Sequence, residues 1–343
     1  MIINGLSVIA AFAAVLRVVG GLLLVAIGAR AIWRRRRSDR SASGARYYLL
    51  FTLAATVLGL SIVAWPLFYL VLQSYVPEWP DVMCIKGVTR IGTGSVGAVA
   101  LLPGLIDFLL AVKPALVFCA GVWLVLHLAN RASRTGVLAG RVLAALAVFA
   151  LLAISDGVAE SAYLFIPKKE NILATGCCNV GSLGGASESG SPLRLAGPPE
   201  SHDGLTVAFF AVGAAIVVAL SLCLRRLRRG NGPGPWLAIS LAGALASLPL
   251  GYAFLGSVAA PTFLRLPYHK CGYCLVAKAP ESIVGITLFL VGAFAVGWAG
   301  VAHWLGTTRE GATGSAFCRP LLRVAWFGYL GALLMMAVRL MIP

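Results

Sequence analysis

Eight long apolar segments determine what this chain can fold into. A transmembrane helix needs about 20 predominantly apolar residues to cross the hydrocarbon core of a bilayer. Eight segments meet that requirement, at residues 6–33, 47–74, 104–129, 139–166, 205–224, 236–258, 282–305 and 321–341. They predict an all-α integral membrane protein with about eight transmembrane helices, surrounded by a lipid bilayer.

The charge pattern fits a membrane protein better than a nucleic-acid-binding protein. Only 12% of the residues are charged, which is about half the fraction found in soluble domains. The net charge of +16 is strongly basic, but the arginines lie in short clusters between the apolar segments. Charges that set membrane topology are distributed in this way. We therefore expect no nucleic-acid partner.

The distribution of Lys and Arg predicts the orientation. The loops 34–46, 130–138, 225–235 and 306–320, with their flanking residues, contain 17 Lys and Arg residues. The longer loops 75–103, 167–204 and 259–281, with theirs, contain nine. Positive charge is retained in the cytoplasm, so we expect both termini to be extracytoplasmic. The Arg-rich, Lys-poor composition is typical of a bacterium with a GC-rich genome, which makes the bacterial plasma (inner) membrane the expected location of this multi-pass protein.

The chain is predicted to consist of two membrane halves and a connecting loop. Residues 1–166 form the first half, with four transmembrane helices, and residues 205–343 form the second half, with another four. Residues 167–204 form an extracytoplasmic, cysteine-containing loop. Its Gly-, Ser- and Pro-rich sequence is typical of a flexible segment.

A few positions suggest that the two halves are parallel repeats. Cys84 and Cys271 both follow a proline by four residues and are offset by 187 residues. His127 and His303 are offset by 176 residues, and each lies near the cytoplasmic end of a predicted helix. Two repeats with an even number of helices each have the same orientation in the membrane. The same orientation is needed to place both cysteines on one side of the membrane and both histidines near the other.

Five of the eight cysteines fall in the predicted extracytoplasmic loops: Cys84, Cys177, Cys178, Cys271 and Cys274. Thiols at the oxidising side of a membrane are candidates for disulfide formation, redox exchange or binding of soft metals. Cys271 and Cys274 have the spacing at which two thiols close a small, reducible disulfide.

The Cys271-Gly-Tyr-Cys274 motif, just before a predicted membrane helix, resembles the Cys-x-x-Cys of membrane thiol oxidoreductases of the vitamin K epoxide reductase and DsbB kind. The resemblance covers the motif and its depth in the membrane, not the whole chain. It implies thiol–disulfide exchange coupled to a quinone, with Cys271 and Cys274 as the catalytic pair. It further implies that Cys177-Cys178, or Cys84, relays electrons to a periplasmic thiol protein.

Two other functions fit the same residues. His269, Cys271 and Cys274, together with Cys84 or the Cys177-Cys178 pair, offer one imidazole and several thiolates, a ligand set that suits copper, zinc or mercury. This set would bind or transport a soft metal. Alternatively, the cysteines form structural disulfides in a non-catalytic subunit or assembly factor of a membrane complex, whose partners are other membrane subunits.

Two carboxylates in the fourth predicted helix form a second candidate site. Asp156 and Glu160 are four residues apart and share one face of the helix, about 15 Å and 9 Å from its outer end. Ionisable groups at that depth face the protein interior and mark proton or ion paths, so both are candidate proton-handling residues. The alternative is a structural ion pair, such as Glu160 with Arg339. Asp107, Arg17 and Arg339 are further ionisable residues within the apolar segments.

The sequence leaves one segment open between two structures. An apolar run at residues 95–112 is interrupted by Pro103 and followed by Lys113-Pro114. Proline interrupts helices, so this segment is expected either to re-enter the membrane or to span it.

Overall fold

The computed structural model describes residues 4–36, 43–79, 82, 84–93, 95–132, 138–168, 201–265, 271–306 and 313–341. The chain divides into two compact units, Met1–Cys177 and Cys178–Pro343. All regular structure in the described residues is helical, as expected for an all-α protein.

Eight of the helices in these ranges are long and apolar enough to cross a membrane, which confirms the predicted polytopic membrane protein. The candidate spans are Gly5–Trp33, Tyr48–Glu78, Gly97–Ala132, Ala139–Phe165, Asp203–Arg228, Pro235–Leu264, Glu281–Trp304 and Phe317–Met341. Each corresponds to one of the eight apolar segments of the sequence.

In the part of the first unit that the structure describes, there are four long α-helices and one short α-helix. They are α1 (Gly5–Arg36), α2 (Ser43–Tyr75), α3 (Ile85–Thr89), α4 (Leu102–Ala132) and α5 (Ala139–Phe165). Helix α1 packs against α2 and α5, and α4 packs against α5. Trp123 and Phe149 stack with ring centroids 6.2 Å apart in the buried core of this unit.

Small residues allow α1 and α5 to approach closely. A Cβ atom at Gly157 would lie 2.7 Å from the carbonyl oxygen of Ala14, and one at Gly21 would lie 3.1 Å from that of Ala150. Helices in membranes commonly associate through such small residues because their backbones can then make extensive van der Waals contact. This contact places Arg17 of α1 opposite Asp156 of α5.

The second unit contains six helices in the described residues. They are α6 (Ser201–Arg228), α7 (Pro235–Phe254), α8 (Ala260–Leu264), α9 (Gly272–Lys278), α10 (Glu281–Gly306) and α11 (Thr313–Met341). A π-helical turn, Leu255–Ala259, joins α7 to α8. Helix α10 packs against α11 and α7, while α6 packs against α7 and α11.

Neither Pro103, within the apolar run 95–112, nor Pro114, just after it, interrupts a helix. A 3₁₀ helix at Gly97–Leu101 leads directly into α4, with Pro103 in its first turn and Pro114 inside it. Proline is tolerated in the first turn, where its missing N–H has no helical partner, and membrane helices also accept internal prolines. Residues 102–112 are therefore the first turns of a continuous, span-length helix.

Cys84 and Cys271 have corresponding positions in their own units. Each has an extended backbone and immediately precedes a short helix, α3 or α9, that lies between the second and third long helices of its unit. This correspondence agrees with the predicted repeat. The order in which neighbouring long helices pack is found in up-and-down four-helix bundles in general, so it is not specific evidence for a repeat. The repeat and its boundaries therefore stay predictions.

Candidate functional sites

The Cys271 and Cys274 side chains come together at the start of α9. Cys271 has an extended backbone (φ −105°, ψ 109°) immediately before the helix, and Cys274 lies in its first turn. Their Sγ atoms lie within 4.8 Å of each other, and both residues are buried, with exposed fractions of 4% and 8%. The spacing of three residues across a helix start therefore brings the two thiols together, as the sequence predicted.

The geometry of this pair is compatible with more than one chemistry. A disulfide requires an Sγ–Sγ distance of about 2.05 Å. Two thiolates on one tetrahedral zinc ion, with Zn–S bonds of about 2.3 Å, would be about 3.8 Å apart. The disulfide and the metal therefore both remain predictions.

The other predicted cysteine and histidine residues are only partly described. Cys84 is buried in the first unit, and its carbonyl oxygen accepts a hydrogen bond from the backbone N–H of Gly87 at 3.0 Å. Cys177, Cys178 and His269 lie outside the described residues. Their predicted roles as relay thiols or metal ligands consequently remain predictions.

Four ionisable side chains form a buried cluster in the first unit, which we call the charge quartet: Arg17, Lys113, Asp156 and Glu160. Their exposed fractions are 0%, 5%, 1% and 0%, respectively. Two positive and two negative charges give the quartet a formal charge of zero. Mutual neutralisation is what allows such groups to persist in a membrane-spanning region, where an isolated charge is very unfavourable.

Each carboxylate of the quartet binds both cations. The Arg17 guanidinium donates to Asp156 and, through its second terminal nitrogen, lies 2.9 Å from Glu160 Oε2. Lys113 Nζ lies 3.0 Å from Asp156 Oδ1 and donates to Glu160 Oε2 at 2.6 Å. Asp156 and Glu160 therefore share one helix face, as their spacing predicted.

Lys113 is the member of the quartet that was not predicted from the sequence. In the sequence it follows the apolar run 95–112 and precedes Pro114, a residue type that interrupts helices. Because α4 begins at Leu102, Lys113 instead lies within the helix, and its ammonium group is 5.2 Å from the centre of the Phe68 ring. A lysine between two apolar runs, with two carboxylates in another apolar segment, is the signal that would have identified this partner.

The suggested pairing of Glu160 with Arg339 is wrong. Glu160 binds Arg17 and Lys113, whereas Arg339 Nε lies 3.1 Å from Glu281 Oε1 within the second unit. Asp107 was expected among the ionisable groups that face the protein interior, but its side chain is 60% exposed and lies 3.9 Å from Arg90. Sequence position alone does not determine which face of α4 a residue occupies.

Lys168 follows α5 and is unusually enclosed for a lysine after a membrane helix. Its Nζ donates to the carbonyl oxygen of Tyr163 at 2.6 Å and lies 4.4 Å from the centre of that ring. It also lies 5.5 Å from the centre of the Tyr75 ring. Burial lowers the pKa of Lys168 to about 8, because the charged form loses hydration.

Comparison with known proteins provides no family for this chain. No protein-family model matches it, and neither the curated proteins nor the solved structures contain a significant match. The function of this protein must therefore be inferred from the sites themselves.

Proposed function

We propose that this multi-pass membrane protein carries out thiol–disulfide exchange through Cys271 and Cys274. The proposal depends on one observation: two buried thiols lie within 4.8 Å of each other at the start of α9, just before the span-length helix α10. The orientation predicted from Lys and Arg places this pair on the extracytoplasmic side, where disulfides persist.

The exchange has a defined balance of electrons and protons. Formation of one Sγ–Sγ bond from two thiols releases two electrons and two protons. A membrane quinone that accepts both becomes a quinol. The new disulfide is then passed to a pair of relay thiols: one relay thiolate attacks it and releases a cysteine thiolate, and the second relay thiolate resolves the mixed disulfide and releases the other. The relay disulfide is passed in the same way to a periplasmic thiol protein. Cys177, Cys178 and Cys84 are the relay residues that the sequence offers.

We further propose that Asp156 and Glu160 handle protons within the first unit. The proposal is supported by the burial of both carboxylates and by their contacts with Lys113, because a lysine ammonium group can release a proton. A Glu160→Gln variant keeps the size of the side chain but removes its charge. Normal turnover in a folded Glu160→Gln protein would contradict this role.

Binding of a soft metal is the second candidate function, because the separation of the two sulfur atoms also accommodates a shared metal ion. Cys271 and Cys274 would be ligands, and His269 would supply an imidazole. Copper and zinc both suit this set of donors.

Alkylation mapping by mass spectrometry distinguishes these functions. Protein purified without reductant is alkylated before and after mild reduction, and its metal content is measured on the same sample. A Cys271–Cys274 disulfide that opens under mild reduction supports exchange, whereas alkylation-protected thiols with about one copper or zinc ion per chain support metal binding. Disulfides that resist reduction, without metal, would contradict both and favour a structural subunit of a membrane complex. Cys119, half-buried within α4, is the control for accessibility.

A further inference from the structure

A cavity of about 270 Å³ lies in the second unit between the first turns of α10 and the last turns of α11. Phe263 of α8 contributes to its wall, as do Met335 and Met336 of α11. Glu281 and Ser282 at the start of α10 and Arg339 near the end of α11 supply its polar groups. The cavity is thus mainly apolar with a few polar groups, as small-molecule sites usually are.

Ser282 supplies an unsatisfied polar group to this cavity. The residue is 3% exposed, and its Oγ has no hydrogen-bond partner among the residues that the structure describes. Most buried side-chain polar atoms in proteins have a partner, because an unsatisfied one loses the hydrogen bonds that water would provide. A ligand that accepts a hydrogen bond from Ser282 would supply the missing partner.

The charges beside Ser282 favour a neutral ligand. Arg339 Nε lies 3.1 Å from Glu281 Oε1, and the guanidinium is 5.5 Å from the centre of the Phe263 ring. Because Glu281 neutralises Arg339, the polar end of the cavity carries no net charge. A phosphate or carboxylate would need an excess of positive charge there, whereas a carbonyl oxygen needs only donors, which Ser282 and Arg339 provide.

The outer wall of the cavity gives access from the bilayer. Met335 and Val338 line the cavity and are 37% and 52% exposed on a helix of span length. In a membrane protein such apolar exposure is directed to lipid. A ligand that reaches the cavity from this side is itself soluble in lipid, and the flexible methionine side chains adapt readily to its shape.

We infer that this cavity binds the head group of a neutral, lipid-soluble carbonyl compound, the chemical class that includes quinones. Leu275, the residue after Cys274, belongs to the same buried cluster as Phe263 and Met336, so the cavity lies next to the helix that carries the two thiols. The binding site requires only the cavity and its lining residues. Only the use of the ligand as an electron acceptor depends on the proposed thiol exchange.

A binding titration tests this inference. Decylubiquinone, a short-chain quinone, is titrated into the full-length protein in nanodiscs, with dodecane and phosphatidylglycerol as competitors. Ser282→Ala removes the hydroxyl donor, and Gly285→Leu fills the cavity, where an added Cβ already lies 2.8 Å from the flexible end of Met336. Ser240→Ala is the matched control, because this buried hydroxyl donates to the carbonyl oxygen of Trp236 in its own helix.

We expect saturable binding of one quinone per chain, weakened roughly 5-fold by Ser282→Ala, as the loss of one neutral hydrogen bond predicts. Gly285→Leu should abolish binding, and Ser240→Ala should bind as the wild type does. Absence of saturable binding, or equal effects of Ser282→Ala and Ser240→Ala, would overturn the inference. Equal competition by phosphatidylglycerol would overturn the assignment of a neutral head group. Normal quinone binding without thiol oxidation would contradict only the proposed function.

Discussion

Gly157 of α5 lies so close to Ala14 of α1 that a Cβ atom at Gly157 would be 2.7 Å from the Ala14 carbonyl oxygen. The atom that such a Cβ would meet belongs to the backbone of α1, which cannot move aside as a flexible side chain can. Asp156 is the neighbour of Gly157, and Arg17 lies less than one turn after Ala14. The close approach of these two helices therefore determines whether the charge quartet can form.

Replacing Gly157 should separate α1 from α5 and weaken the quartet. We expect Gly157→Ala to lower the free energy of unfolding by about 1–3 kcal/mol, the usual cost of overpacking. The measurement is unfolding in detergent. Gly104→Ala is the control, because a Cβ at Gly104 meets nothing within 4 Å; it should be neutral or slightly stabilising, since Ala favours helix more than Gly does. Equal effects of the two substitutions would contradict the close packing.

The losses of stability caused by removing one charge at a time from the quartet should not add when two opposite charges are removed together. Lys113→Met leaves a net charge of −1 and Glu160→Gln leaves +1, and each should lower the free energy of unfolding by about 3–5 kcal/mol, as is typical when one partner of a buried ion pair is removed. The double variant restores neutrality, so its loss should be clearly smaller than the sum of the two single losses. Additive losses in a double-mutant cycle would show that these residues are not coupled.

Lys168 should make the stability of the protein depend on pH. Its pKa is lowered to about 8 in the folded protein, against a usual value of about 10.4. Between these values the unfolded chain binds more protons than the folded one, so the free energy of unfolding should rise as the pH increases from about 8 to about 10.4. Below this window the lysine is protonated in both states and contributes no slope.

The measurement for Lys168 is unfolding as a function of pH in the wild type and in Lys168→Met. The variant should lose the rise in stability between pH 8 and about 10.4, since it has no ammonium group to deprotonate. Lys86→Met, which replaces an exposed lysine of the same unit, should keep it. A rise that persists in Lys168→Met would assign the effect to other groups.

The sequence predicts the membrane architecture well because length and hydropathy are sufficient for it. All eight apolar segments correspond to span-length helices, and the shared face of Asp156 and Glu160 follows from helix periodicity. The partners of these residues could not be predicted in the same way. Lys113, Arg17 and Glu160 come from three different helices, and their contacts depend on helix rotation and on the close approach at Gly157.

The candidate thiol site shows the same division between local and long-range information. The proximity of Cys271 and Cys274 follows from a spacing of three residues at a helix start. The cavity with the Ser282 hydroxyl could not be predicted, because Ser282, Phe263 and Met336 belong to three helices and the sequence gives no sign that they meet. Pro114 was also misleading, since a membrane helix accepted it without interruption.

The most direct test of the proposed function is a redox titration of Cys271 and Cys274 in the full-length protein. The protein is equilibrated in buffers of defined thiol–disulfide ratio, acid-quenched and alkylated, and the two residues are quantified by mass spectrometry, with Cys271→Ser as the control. We predict one reversible two-electron transition in which both residues lose alkylation together, and in Cys271→Ser an alkylatable Cys274 throughout. Residues that stay reduced and alkylatable across the whole range, or that cannot be reduced again, would contradict thiol exchange by this pair.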